Sequence, residues 1–251
     1  MSMYETEKHP KEKDYFTLMV IVGIIYWFII LLCTFGIILL FIPFVYLAFL
    51  VAGSYFKAYV YGEAVKVSEK QFPGLYAIAK DQSARLGHSV IPDNYIKNGN
   101  GITNALAIKF LSRKYVILYA NLVDLALATG RDKELAMIIG HELAHHAAGH
   151  TSALRHFFIW PAYLFPFLGT AYSRACELTA DRMGFRLIDS KDSAKRALAA
   201  LSLGSEYLVK DLDLEAFIEQ EKEIPPFMGF IHLIMSTHPR MTMRVQEIDK
   251  I

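Results

Sequence analysis

Three side chains within five residues, His141, Glu142 and His145, carry the chemistry most legible in this chain. On a helix, positions i and i+4 share a face, so the two imidazoles can reach one tetrahedral cation. Glu142, one position along, can reach the water in the cation's open coordination position and take its proton. A catalytic zinc usually has three protein ligands, so a third donor must come from elsewhere. The run Cys176-Glu177-Leu178-Thr179-Ala180-Asp181 offers one, with Glu177 and Asp181 a helical turn apart. Glu177 would complete a His-His-Glu set, and Asp181 could accept the remaining ring N–H of a ligand histidine and so fix its tautomer. The implied cofactor is one Zn2+ per chain.

These side chains need a helix and a support. Asp132 can cap the start of the helix, Glu134 falls in its first turn, Leu135, Ile138 and Ile139 form an apolar side, and Gly149 can end it. Upstream, a helical pattern over Leu75–Leu86 ends at Gly87, and extended pieces follow at Asn94–Lys97, Ile102–Ile108 and Tyr115–Ala120. Asn98-Gly99-Asn100-Gly101 reads as a turn between the first two. From Asn121 the pattern is helical, broken at Thr129-Gly130, in Trp160–Gly169 and at Pro225-Pro226. The expected fold class is therefore α+β and mainly helical, with a small sheet.

The N-terminal part belongs to another solvent. From Tyr15 to Phe56 the chain carries no charged residue and no His, Asn or Gln. One crossing needs roughly 20 apolar residues, so this run fits two, turning near Cys33-Thr34-Phe35-Gly36 or Pro43. It is too long for the apolar core of a signal peptide. The expected organisation is a polar tail over 1–14, a transmembrane helical hairpin over 15–56 and a folded domain over 57–251. Lys8, Lys11 and Lys13 before the hairpin and Lys57, Lys66 and Lys70 after it place that domain in the cytoplasm or an equivalent compartment. The apolar stretches 156–172 and 224–235 are short for a span; the first reads as re-entrant, interfacial or packed on the hairpin. A net charge of +1 gives no footprint for nucleic acid, and Cys33 and Cys176 cannot form a disulfide framework. His9 and His88 read as exposed, His232 as hydrogen-bonded in an apolar helix. His146 and His150 read as a second i, i+4 pair turned away from the metal face.

With those residues in place, the sequence resembles the HtpX-like membrane zinc metallopeptidases of the gluzincin clan, relatives of the CAAX prenyl endopeptidases and of a mitochondrial inner-membrane quality-control peptidase. Four blocks carry the resemblance: Asn104-Ala105-Leu106-Ala107, His141 to His145, Glu177 to Asp181, and Thr237-His238-Pro239 with Arg244 after it. The resemblance implies a gluzincin-type domain with His141, His145 and Glu177 as zinc ligands, Glu142 as general base and Asp181 as partner of a ligand histidine. It also implies that His238 and Arg244 stabilise the oxyanion or hold the site together, with Arg240 competing for the arginine's place. Asn104, Ala105, Leu106 and Ala107 would form the edge strand to which an extended substrate adds; Leu106 stands where the family commonly has Phe. The expected function is membrane-bound, zinc-dependent endopeptidase activity on membrane-associated or misfolded proteins. The competing readings are a prenyl-protein endopeptidase and, from another class, a non-catalytic zinc-containing membrane scaffold. The expected partners are the lipid bilayer and protein or peptide substrates.

Overall fold

The structure, a computed structural model, describes residues 3–101, 104–110, 113–128, 132–205 and 208–251. A short helix, α1 (Met3–Glu7), leads into α2 (Pro10–Cys33), whose start is set by a proline in the first turn, where its missing N–H costs nothing. The chain reverses through Phe35 and Gly36, both at positive φ, with the Gly36 N–H donating to the Leu31 carbonyl at 2.9 Å. A 3-10 turn over Ile37–Phe41 then feeds α3 (Ile42–Glu63). Both long helices are apolar enough to cross a membrane by length and composition, and most of their side chains are exposed. The helices extend past the uncharged run at both ends, so the charged residues 10–14 are already helical.

The remaining elements are β1 (Val65–Lys66), α4 (Pro73–Arg85), β2 (Asp93–Lys97), β3 (Ala105–Phe110), β4 (Arg113–Tyr119), α5 (Ala120–Ala128), α6 (Asp132–Ala147), α7 (Ala153–Ile159), α8 (Leu168–Ile188), α9 (Lys191–Leu203), α10 (Leu214–Glu219), α11 (Pro226–Met235) and α12 (Met241–Asp249). The four strands form one mixed sheet in the order β1-β2-β4-β3, parallel between β2 and β4 and antiparallel elsewhere. A mainly helical body with one small sheet is thus the fold class the pattern predicts. Ile102 and the break at Thr129-Gly130 lie outside the described residues. Asp132 lies within α6 rather than before it.

The core explains why α6 sits where it does. Leu135, Ile139 and Leu143 of α6 pack with Val116 and Leu118 of β4 and with Ala180, Met183 and Leu187 of α8, all buried. Each large side chain so buried contributes about 1.5–3 kcal/mol. α6 and α8 approach closely at Gly184, where a Cβ would lie 3.1 Å from the Met137 carbonyl oxygen and 3.2 Å from the His141 nitrogen. Only glycine leaves room for that contact, which brings the second half of α8 against the His141 turn.

Residues 153–167 form short elements, α7 and a 3-10 turn at Trp160–Leu164, laid along α2. Met19 of α2 packs there with Ile159, Ala162, Leu168 and Tyr172. Trp27 stacks on Phe157 and donates its indole N–H to the Phe157 carbonyl at 2.9 Å. This stretch therefore packs against the first long apolar helix. α11 spans ten residues, with Phe227, Met228, Phe230 and Met235 exposed.

Candidate metal centre

α6 delivers His141 and His145 from adjacent turns of one face, and their Nε2 atoms lie 3.1 Å apart. Glu177 of α8 completes the set: its Oε2 is 3.5 Å from His141 Nε2 and its Oε1 is 3.4 Å from His145 Nε2. One donor atom from each of the three residues falls within 4.8 Å of the others, and all three side chains are buried or nearly so. Two imidazoles and a carboxylate converging on one point suit a borderline-soft divalent cation such as zinc. Without a cation these groups compensate each other. Burial opposes charge on His141, but the hydrogen bonds its ring donates to Asp181 and Glu177 outweigh it and raise its pKa. Burial likewise opposes ionisation of Glu177, and its histidine partners hold its carboxyl well below the usual range.

The outer partners are fixed as firmly. Asp181, 1% exposed, faces His141 Nδ1 through Oδ1 at 2.9 Å. Arg244 of α12 grips the same carboxylate in fork geometry, Nη2 to Oδ1 at 2.7 Å and Nε to Oδ2 at 2.8 Å. Its other nitrogen, Nη1, lies 3.6 Å from Glu177 Oε2. Burial opposes charge on Asp181, but the guanidinium wins and holds its carboxyl below the ordinary aspartate value. Arg240 instead pairs with Glu221 and donates to the Gly229 carbonyl, whereas Arg244 lies against the donor set. With its fork on Asp181 and 5% exposure, Arg244 is already engaged beside the donor set. His238 differs: its ring is mostly exposed and its Nε2 lies 3.6 Å from Glu177 Oε1.

His141, His145 and Glu177 line a cleft of about 580 Å³ that also takes in Asn104, Ala105, Leu106 and Ala107, Glu142, His238 and Arg244. β3 is the outer strand of the sheet, so its second edge is turned away from β4 and borders the cleft. Glu142 is buried, and burial raises its pKa against the nearby histidines and Arg244, which lower it.

Two residues at the centre escape the sequence pattern. α6 ends at Ala147, and Gly149, at φ 75°, turns the chain so that the His150 N–H returns to the His145 carbonyl at 2.9 Å. His150 is therefore off the helix and beside His145, not on a separate face with His146. The other is Glu12, fully buried beneath it. The available signals were a carboxylate set between Lys11 and Lys13 just before the apolar run, and a glycine just before a histidine. His9 and His88 are half-buried, the latter against the Leu143 carbonyl and Lys114.

Two histidines and a glutamate on one helix, with a carboxylate donor on a later one, define the class of metallopeptidases built on an active-site helix. The family model for peptidase family M48 matches residues 69–159 and 152–251, nearly the whole chain beyond the hairpin. The chain belongs to peptidase family M48, a family of metallopeptidases. Among curated proteins no significant match is found.

Proposed function

We propose that this protein is a membrane-bound zinc metalloendopeptidase acting on membrane-associated or misfolded proteins, with its cleft on the cytoplasmic face. The observation that carries the reading is the His141-His145-Glu177 donor set placed in one cleft with Glu142 and with the outer edge of β3. When bound, zinc would polarise a water and the scissile carbonyl. Glu142 would take the proton from that water and pass it to the leaving amine; the pKa raised by burial suits a carboxyl that must both accept and return it. An extended substrate would pair by main-chain hydrogen bonds with Asn104–Ala107, which sets register without demanding a particular side chain. His238, exposed at the mouth, is the group free to donate to the developing oxyanion, while Arg244 and Asp181 hold the ligands in place.

Two long apolar helices, rather than a chamber of several spans, favour a general endopeptidase over a prenyl-protein endopeptidase. The test is cleavage by the detergent-purified protein, stripped with a chelator and reloaded with zinc, of casein and of a farnesylated C-terminal peptide. Zinc-restored casein cleavage is expected. Cleavage of the farnesylated peptide alone would overturn the substrate class, and no metal-dependent cleavage of either would favour the scaffold reading.

A further inference from the structure

Glu12 is an anomaly that the peptidase reading does not use: a carboxylate at 0% exposure, at the base of a membrane helix, far in sequence from the cleft. It accepts from Tyr4 Oη at 3.0 Å, Arg155 Nη2 at 3.1 Å, His150 Nε2 at 3.2 Å and Thr179 Oγ1 at 2.5 Å. Together with His150 and Cys176 it brings metal-ligating atoms within 4.8 Å, which invites a second cation. Its partners argue otherwise. The Arg155 guanidinium already neutralises Glu12 in that cluster.

The proton positions suggest a different role. A histidine that gives Nε2 to a cation carries its proton on Nδ1 and needs an acceptor there. For His141 that acceptor is Asp181. For His145 the group facing Nδ1 is His150 Nδ1, at 2.9 Å. His150 can accept there only with its own proton on Nε2, and Nε2 faces Glu12 Oε1. One tautomer satisfies the whole chain: His145 Nδ1–H donates to His150, and His150 Nε2–H donates to Glu12. The turn at Gly149 is what folds the His150 ring back into this place.

We propose that Glu12, acting through His150, is a positioning residue for the metal ligand His145, so that the base of the membrane anchor is a built-in part of the metal centre. The arrangement parallels that of Asp181 on His141, with one imidazole interposed. It rests on the reading of His145 as a zinc ligand. Arg155 fastens the cluster, donating to the Ala148 carbonyl at the end of α6 and stacking on Phe16 of α2 at 4.0 Å.

The experiment measures zinc affinity by chelator competition, and the visible spectrum of the cobalt-substituted protein, in full-length detergent-purified variants. Glu12→Gln and His150→Ala should each weaken zinc roughly 10- to 100-fold and shift the cobalt bands. The double variant should bind no more weakly than the worse single, because both act through one link. Should Glu12→Gln fail to fold, His150→Ala tests the same link, since it leaves Glu12 its arginine and threonine. His145→Ala separates the two readings. If it binds zinc normally, both fall; if it loses zinc while Glu12→Gln and His150→Ala keep wild-type affinity and spectra, the relay alone is wrong.

Discussion

At the scale of single residues, the site is a set of buried charges that hold only as a set. Arg244 is the example: its fork on Asp181 orients the carboxylate that orients His141. Arg244→Met should destabilise the zinc-free protein by about 3–5 kcal/mol, because it strands a buried carboxylate. Arg244→Lys should recover little of this, since a lysine cannot supply two parallel donors. Denaturant unfolding of the three proteins checks both, and a lysine variant as stable as wild type would contradict the fork. The same pair sets a pH dependence. Asp181 is held below its ordinary value in the folded state, so its contribution is fully present above the unfolded value of about 4 and fades as pH falls through the folded one. Asp181→Asn should therefore be less stable at neutral pH, with the gap to wild type closing as the pH is taken below about 4. A gap that stays constant in unfolding midpoints across that range would contradict the assignment. The His-Glu-His spacing and the later carboxylates are legible in sequence because they lie one helical turn apart. Glu12 and His150 are not, because their partnership depends on a reversal at Gly149 and on the N-terminal segment folding back over α8.

At the scale of elements, the ligand geometry depends on how closely α6 and α8 pack. Gly184→Ala would put a methyl group against the Met137 carbonyl and the His141 nitrogen, backbone atoms that cannot step aside. The expected outcome is a loss of about 1–3 kcal/mol from overpacking, together with weaker zinc binding as His141 moves away from Glu177. Unfolding curves and chelator competition on one preparation test it, and wild-type values for both would contradict it. Most of these elements could be read from periodicity: the active-site helix, the strands to within a few residues and the hairpin. The segment at 153–167 could not, because its length and its prolines suit a re-entrant loop as well as a surface helix. Its contact with α2, where Gly23 faces the Phe158 carbonyl, depends on long-range packing that no local pattern shows.

At the scale of the whole molecule, two apolar helices and a metallopeptidase domain share a junction rather than a linker. The first helix runs into the Glu12 cluster, and exposed aromatic side chains of α7 and α11 add to the apolar surface. The topology we propose puts the hairpin tip and the domain on opposite sides of the bilayer. In a chain with Cys33 replaced by serine, a cysteine at Phe35, which is 93% exposed, should react with a membrane-impermeant thiol reagent from the face opposite to one placed at Val90. Labelling of both from one face would contradict a spanning hairpin. The central claim is hydrolysis with Glu142 as the base, and it is tested most directly by comparing wild type with Glu142→Gln for bound zinc and for casein cleavage. The account predicts about one zinc per chain in both proteins and at least a hundredfold loss of cleavage in the variant, at the scale expected for removing a general base. Undiminished cleavage by a zinc-loaded, homogeneous Glu142→Gln preparation would contradict it.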